Sequence, residues 1–153
     1  MEYQVVPDIK AILEECFATD LDLLNRYHIE APAPLVTCVN RTYKDLMSCP
    51  EIVFYKIFDL SRLIGYFCKE TDKYGNKYLT GFFLKPEYRN WDYIKEFWSI
   101  VNKEIGEDYS VGLYEKNSRA VKFIERSGGK FFFKGVDVTG NDYISFNMKN
   151  PCQ

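Results

Sequence analysis

Three strand-like segments follow one another between residues 52 and 84, and no helix separates them. They are Ile52–Phe58, Leu63–Lys69 and Tyr78–Leu84, all rich in β-branched and aromatic residues. Turn-forming residues connect them, including Gly75 and Asn76 between the second and third segments. Strands with such short connections pair antiparallel, so this order predicts an antiparallel meander to which the rest of the sheet must be added.

The segment after the meander has the most regular helical periodicity of the chain. Its apolar side chains recur at steps of three and four residues, which predicts one stripe that faces the core. They are Trp91, Ile94, Trp98, Val101 and Ile105. Both tryptophans are therefore expected in the core. Asn90 suits the N-cap of this helix, and Gly106 suits its end.

The remaining elements determine the fold class. Residues 109–114 are predicted to form a strand, residues 117–127 a helix, and residues 130–134 and 142–148 two further strands. The order from residue 51 is thus β-β-β-α-β-α-β-β. A strand–helix–strand unit crosses over right-handed and pairs in parallel. The pattern predicts an α+β fold with a mixed, mostly antiparallel sheet, one parallel β-α-β junction and helices on both faces.

The N-terminal part begins with a short strand and continues as helix. Residues 3–6 are predicted to be a strand, and the apolar residues between positions 9 and 17 follow helical spacing. Thr19 or Asp20 suits the cap of a second helical segment that runs through Tyr27.

Two prolines interrupt this helical part. Pro32 and Pro34 disfavour helix at the residues before them, so residues 31–34 are expected to be extended. A short helix is predicted at residues 43–47. No linker or internal repeat divides the 153 residues, a length that suits one domain with one core. We therefore expect a single domain, residues 1–153.

Composition excludes several classes of function. With a net charge of -2, the chain has no overall excess of basic residues with which to bind nucleic acid. No apolar run reaches the roughly 18 residues that a membrane span requires. The N-terminus is polar and acidic, unlike a signal peptide, and the five cysteines form neither a CxxC pair nor a Cys/His cluster. These features predict a cytoplasmic protein with reduced thiols, without a metal and without a membrane partner, in which Cys16 and Cys68 fill apolar space.

Three short motifs lie on the predicted elements in a recognisable order. Ile64-Gly65-Tyr66 lies on the second strand of the meander, and Leu84-Lys85-Pro86-Glu87-Tyr88-Arg89 lies at the strand–helix junction. Asn117-Ser118-Arg119-Ala120-Val121-Lys122-Phe123, followed by Gly128, begins the last helix. They resemble "v-G-f", "V-x-P-x-x-R" and "N-x-x-A-x-x-F-Y-x-x-x-G" of the GCN5-related N-acetyltransferases (GNATs). The resemblance covers residues 51–149 well and residues 1–50 loosely.

The resemblance implies a site for acetyl-CoA and no metal. In that family the cofactor lies in a wedge where the fourth and fifth strands splay apart. Backbone groups at Phe83 and Leu84 would then bond the pantetheine arm and the thioester carbonyl, and Asn117 would bond the same arm. The pyrophosphate would lie at the start of the next helix, beside Arg89 and Asn90, where free N–H groups favour an anion.

The resemblance also implies direct attack of an amine on the thioester. Tyr114, at the end of the fifth strand, is a candidate proton donor near the expected position of the amine. His28, the only histidine, is a second candidate, as a base. The acceptor, a small-molecule or protein amine, is not identified by the sequence, and neither is the oligomeric state.

Two departures from the family pattern concern the cofactor. The family loop contains glycines after its arginine, where the backbone approaches phosphate without a Cβ in the way, whereas the run from Arg89 to Ile94 has none. Asp92 adds a carboxylate that would cost about 3 kcal/mol per unit of phosphate charge at about 5 Å and an effective dielectric of about 20. A third departure concerns proton transfer: Ile124 stands where many members carry a tyrosine general acid.

Three functions remain open on these residues. The first is an acyl-CoA-dependent N-acetyltransferase with a divergent phosphate loop. The alternative is a GNAT-shaped binding protein that engages another protein without acetyl-CoA, which the glycine-free loop and Ile124 favour. A third, a transferase that takes its acyl group from an aminoacyl-tRNA, is disfavoured by the net acidity of the chain.

Overall fold

In the part of the chain that the structure describes, the sheet has seven strands in the order β1-β2-β3-β4-β5-β7-β6. The computed structural model describes residues 1–27 and 31–149. The strands are β1 (Glu2–Val6), β2 (Ile52–Asp59), β3 (Arg62–Thr71), β4 (Lys77–Leu84), β5 (Asp108–Tyr114), β6 (Lys130–Val136) and β7 (Asp142–Lys149). The helices are α1 (Lys10–Ala18), α2 (Leu21–Tyr27), α3 (Leu35–Met47), α4 (Trp91–Ile105) and α5 (Ser118–Arg126), with a 3-10 turn at Pro86–Tyr88.

Strands β2, β3 and β4 form the predicted antiparallel meander, and β1 joins its free edge by pairing with β2. At one point β3 and β4 approach unusually closely. Gly65 of β3 pairs with Leu84, and a Cβ atom at position 65 would overlap the carbonyl oxygen of Phe83. The same Cβ would lie 3.0 Å from the carbonyl carbon of Phe83 and 3.1 Å from the Cα of Leu84. Only glycine fits there without a shift of the β4 backbone.

An irregularity in the β3–β4 ladder alters the course of β4. Cys68 pairs with Gly81 and Lys69 with Leu79, so Thr80 is an extra residue on β4. A bulge of this kind bends its strand and increases the local twist. Thr80 is the fourth of the eight residues of β4, so the irregularity lies in the middle of the strand.

Strands β4 and β5 provide the single parallel junction among the described strands, and α4 is its crossover helix. Beyond them, β5 pairs antiparallel with β7, and β7 pairs antiparallel with β6. The mixed, mostly antiparallel sheet and the one β-α-β junction therefore agree with the prediction.

The sheet separates two apolar cores, and helices cover both faces as predicted. On one face, α4 and α5 contribute Phe97, Trp98 and Ile124, which are fully buried against strand residues such as Phe67. On the other face, α1 and α3 cover a cluster that contains the buried thiols of Cys16 and Cys68. Burial raises the pKa of the Cys16 thiol to about 12. Within the described part of the chain, no helix is long and apolar enough to cross a membrane.

Two predictions about helices were wrong. Trp91 was assigned to the core, but 49% of it is exposed, whereas Phe97, outside the predicted stripe, is fully buried. Trp91 is the first residue of α4 and lies at the edge of an open cleft, which periodicity does not reveal. Helix α3 is longer than the predicted helix at residues 43–47, because Pro34 is extended (ψ 163°) and serves as its N-cap. The helix therefore begins directly after the proline.

Candidate functional site

The two parallel strands separate almost as soon as they meet. Tyr78 of β4 pairs with Ser110 of β5, and the described strands form no further ladder pair. Both residues lie near the amino ends of their strands, so the carboxyl ends diverge. We call the gap between the diverging strands the wedge. Backbone groups of β4 that face the wedge need hydrogen-bond partners other than β5.

A cleft of about 450 Å³ opens at this end of the sheet. Its apolar lining comes from β4, α2, α4 and α5. It includes Phe82, Phe83, Leu84, Leu23, Leu24, Tyr27, Trp91, Ile94, Ala120 and Phe123. The rings of Phe82 and Phe123 contact each other across the gap, with centroids 5.6 Å apart. The cleft thus has an apolar wall that suits the body of an organic ligand.

Arg89 is held by three groups at the end of β4. Its Nε donates a hydrogen bond to the carbonyl oxygen of Leu84 at 2.6 Å, and its guanidinium lies 5.0 Å from the ring centroid of Phe83. Its Nη1 forms an ion pair with Oδ2 of Asp20 at 2.6 Å. The resemblance implies that this arginine binds the pyrophosphate of the cofactor. In this structure its guanidinium instead contacts groups of the chain itself.

Asp20 is the partner that the sequence did not reveal. It lies between α1 and α2, and its backbone carbonyl accepts the N–H of Leu24. Its side chain is 7% exposed, and its Oδ2 also lies 3.6 Å from Nη1 of Arg119. Burial lowers the pKa of the Arg89 guanidinium, and the carboxylate of Asp20 opposes that effect. The carboxylate therefore joins a β4-end arginine to an α5 arginine.

The start of α4 is capped as predicted. Asn90 is extended (φ -120°, ψ 163°), and its side-chain oxygen accepts the N–H of Tyr93 at 3.3 Å. The N–H of Ile94 donates to the carbonyl of Asn90. Among the described residues, the N–H groups of Trp91 and Asp92 donate to no acceptor, which leaves them open to an anion.

Cationic side chains dominate the charge of the cleft. Arg119, Lys122 and Arg126 all line it, and their spacing of three and four residues places them on one side of α5. We call these three residues the cationic face of α5. Asp20 is the only carboxylate among the described lining residues. A chain of net charge -2 thus concentrates positive charge at this cleft.

The remaining predicted site residues are distributed unevenly. Asn117 lines the cleft and caps α5 through a 3.3 Å hydrogen bond from the N–H of Ala120. Tyr114 is not among the described lining residues, and its hydroxyl donates to Oδ2 of Asp137 at 2.9 Å. Hydrogen bonds, first from the Thr139 hydroxyl and then from the N–H of Asn141, lower the pKa of Asp137 to about 2.

The structure thus brings together Phe83, Leu84, Arg89 and Asn117 and leaves Asn90 and Tyr114 outside the described lining. Their roles in binding and catalysis stay predictions. Ile124 is fully buried core. His28 lies outside the described residues. No group of three or more metal-ligating side chains occurs among the residues that the structure describes.

Comparison with known proteins supports the fold. No family model and no curated protein matches the sequence. Among solved structures, an acetyltransferase from Thermus thermophilus superposes with a TM-score of 0.68 at 12% identity over 97% of both chains. A probable GNAT-family acetyltransferase from Chromobacterium violaceum gives 0.72 at 14% identity over 97% of this chain and 82% of its own.

A third similar structure contains a ligand. A ribosomal L7/L12 α-N-protein acetyltransferase in complex with coenzyme A superposes with a TM-score of 0.65 at 7% identity, over 96% of this chain and 92% of its own. At sequence identities this low, the similarity is evidence for the fold alone. The fold of this chain is therefore that of the GCN5-related N-acetyltransferases, as the sequence resemblance predicted.

Proposed function

We propose that this protein is an N-acetyltransferase that uses acetyl-CoA as the acyl donor. The observation that carries the proposal is the wedge: β4 and β5 pair only at Tyr78 and Ser110, and a cleft lined by apolar and cationic side chains opens beyond that pair. The amides of a pantetheine arm would complement the backbone groups of β4 at Phe83 and Leu84. Asn117, which lines the opposite side, would contact the same arm.

The proposed chemistry is direct transfer between two bound reactants. The nitrogen of an amine attacks the thioester carbonyl carbon, the carbon–sulfur bond breaks, and an amide and a thiol are formed. The amine loses one proton and the departing sulfur gains one. The protein contributes mainly by holding the amine and the thioester in reacting geometry. The acceptor would enter from the side of α1 and α2, where Leu23, Leu24 and Tyr27 line the cleft.

Binding of acetyl-CoA to the full chain tests the proposal. At about 100 times its dissociation constant, a ligand of the native state adds about 2.7 kcal/mol to the free energy of unfolding, which a thermal shift detects. Titration calorimetry should give saturable binding, and chromatography should show consumption of acetyl-CoA with one of a panel of amines. Absence of both heat and thermal shift at millimolar acetyl-CoA would contradict the proposal.

One observation favours a second candidate function, a binding protein that does not use the cofactor. Arg89 donates a hydrogen bond to the Leu84 carbonyl and forms an ion pair with Asp20, so the family's phosphate arginine is engaged within the chain. In this case the protein would co-purify with a partner protein and would bind no acetyl-CoA. Turnover of any amine with acetyl-CoA would exclude it.

Tyr114 remains the proposed proton donor to the departing sulfur. We expect Tyr114→Phe to lower kcat by about 10²-fold with little change in KM, because general acid catalysis typically contributes 10²- to 10⁴-fold. The control is Asp137→Ala, which removes the acceptor of the tyrosine hydroxyl and keeps the hydroxyl itself. An equal loss of kcat in both variants would mean that Tyr114 only anchors the β6–β7 turn.

A further inference from the structure

The family's usual place for phosphate is poorly equipped in this chain. Arg89 lies 2.6 Å from both the Leu84 carbonyl and the Asp20 carboxylate, and no glycine follows it before Ile94. The first turn of α4 also carries the exposed carboxylate of Asp92. An anionic ligand in this cleft therefore needs cations from another element.

The cationic face of α5 supplies them. Lys122 and Arg126 are exposed, line the cleft, and have no ion-pair partner within the described chain. Arg119 is 42% exposed, and its Nη1 lies 3.6 Å from the Asp20 carboxylate, farther than the Nη1 of Arg89. Like charges that converge on one cavity repel each other until an anion neutralises them. The single carboxylate of the described lining is already engaged by Arg89.

Trp91 adds an aromatic surface to the same cleft. The other tryptophan, Trp98, is fully buried and donates its indole N–H to Ser127, whereas Trp91 is 49% exposed and lines the cleft. The Nζ atom of Lys95 lies 5.8 Å from the Trp91 ring centroid. An exposed indole beside several cations is suited to stack on a heterocyclic base while the cations meet its phosphates.

We propose that the cationic face of α5, with Trp91 as a stacking surface, binds the phosphorylated purine nucleotide end of the ligand, and that Arg89 is a positioning residue for the end of β4. The inference rests on the proposed function, in which the nucleotide belongs to acetyl-CoA. In this chain α5 thus takes over phosphate binding from the glycine-free loop, and Arg89 keeps the Leu84 carbonyl in place.

Two probes separate the ends of the ligand: adenosine 3′,5′-bisphosphate carries only the nucleotide, and pantetheine carries only the arm. For Lys122→Ala/Arg126→Ala we expect the Kd of the bisphosphate to rise at least tenfold, since hydrogen bonds to charged groups are strong, and the salt dependence to become shallower. Pantetheine binding should not change. The charge-matched control is Lys116→Ala/Lys130→Ala, which removes two exposed lysines outside the described lining.

Trp91 provides a direct readout. The bisphosphate should quench tryptophan emission of the wild type but not of Trp91→Phe, in which only the buried Trp98 emits. Trp91→Ala should weaken the bisphosphate by about 5- to 150-fold, the range for loss of one base-stacking contact, and Trp91→Phe should restore most of the affinity. Arg89→Gln should lower the unfolding temperature and weaken the bisphosphate far less than Lys122→Ala/Arg126→Ala does. A loss as large as that of the double variant would mean that Arg89 binds the phosphate.

The outcomes distinguish this inference from the proposed function. Bisphosphate binding that needs Lys122, Arg126 and Trp91, in a protein that gives neither heat nor a thermal shift with millimolar acetyl-CoA, would support the inference and contradict the acetyltransferase. Acetyl-CoA turnover with unchanged Kd values in the α5 and Trp91 variants would support the enzyme and overturn the inference. Failure of the wild type to bind millimolar bisphosphate would also overturn it.

Discussion

Gly65→Ala is expected to destabilise the protein by about 3 kcal/mol or more. The added methyl group would overlap the carbonyl oxygen of Phe83, which is backbone and cannot rotate away as a side chain would. Overpacking of a core typically costs about 1–3 kcal/mol, and a clash that must move a strand lies at or above the upper end of that range. The moved segment is Phe83–Leu84, so ligand affinity at the wedge should fall together with stability.

Gly112→Ala is the matched control for this variant. Gly112 also lies on a strand, in β5, and a Cβ atom there would meet no atom within 4 Å. Both variants restrict the unfolded chain to the same extent, an effect worth about 0.4–1 kcal/mol, so the difference between them isolates the clash. Urea unfolding should place the midpoint of Gly65→Ala far below that of Gly112→Ala. Equal midpoints would show that β3 and β4 can separate at little cost.

The sequence predicted the parts of the fold that local patterns determine. The meander, the crossover helix and the cap at Asn90 follow from residue types at short spacing, because burial of one face of a strand or helix imposes a period of two or 3.6. The motif residues Phe83, Leu84, Arg89 and Asn117 do line the cleft. The resemblance predicted their positions because the motifs occur along this chain in the same order as the strands and helices that carry them in the family.

What the sequence did not predict depends on contacts between distant segments. Nothing near Asp20 indicates that its carboxylate meets Arg89, since the contact exists only when the α1–α2 junction folds over the end of β4. Trp91 fits the apolar periodicity of α4, but periodicity indicates only the side of the helix on which a residue lies. It does not show that the first turn of α4 borders the cleft rather than the core. Both omissions concern the cleft, whose side chains come from segments that are distant in the sequence.

Asp20→Ala is expected to lower the free energy of unfolding by about 2–3 kcal/mol. Removal of one partner of a buried ion pair costs about 3–5 kcal/mol, because the other charge stays buried without compensation. The expected cost is smaller here, since the side chain of Arg89 is 21% exposed and water can solvate part of the freed guanidinium. The control is Asp22→Ala, an exposed carboxylate in the first turn of α2, whose loss should cost less than about 1 kcal/mol.

The same variant should have the opposite effect on ligand binding. Asp20 is the only carboxylate in the described lining, and its removal leaves Arg89 and Arg119 without their shared anion. The affinity for adenosine 3′,5′-bisphosphate should therefore rise while stability falls, and the gain should shrink as salt screens the cations. Loss of both stability and affinity would mean that the Asp20–Arg89 pair shapes the anion site itself. Unchanged stability would mean that solvent already compensates both charges, and that Arg89 does not need Asp20 to hold the end of β4.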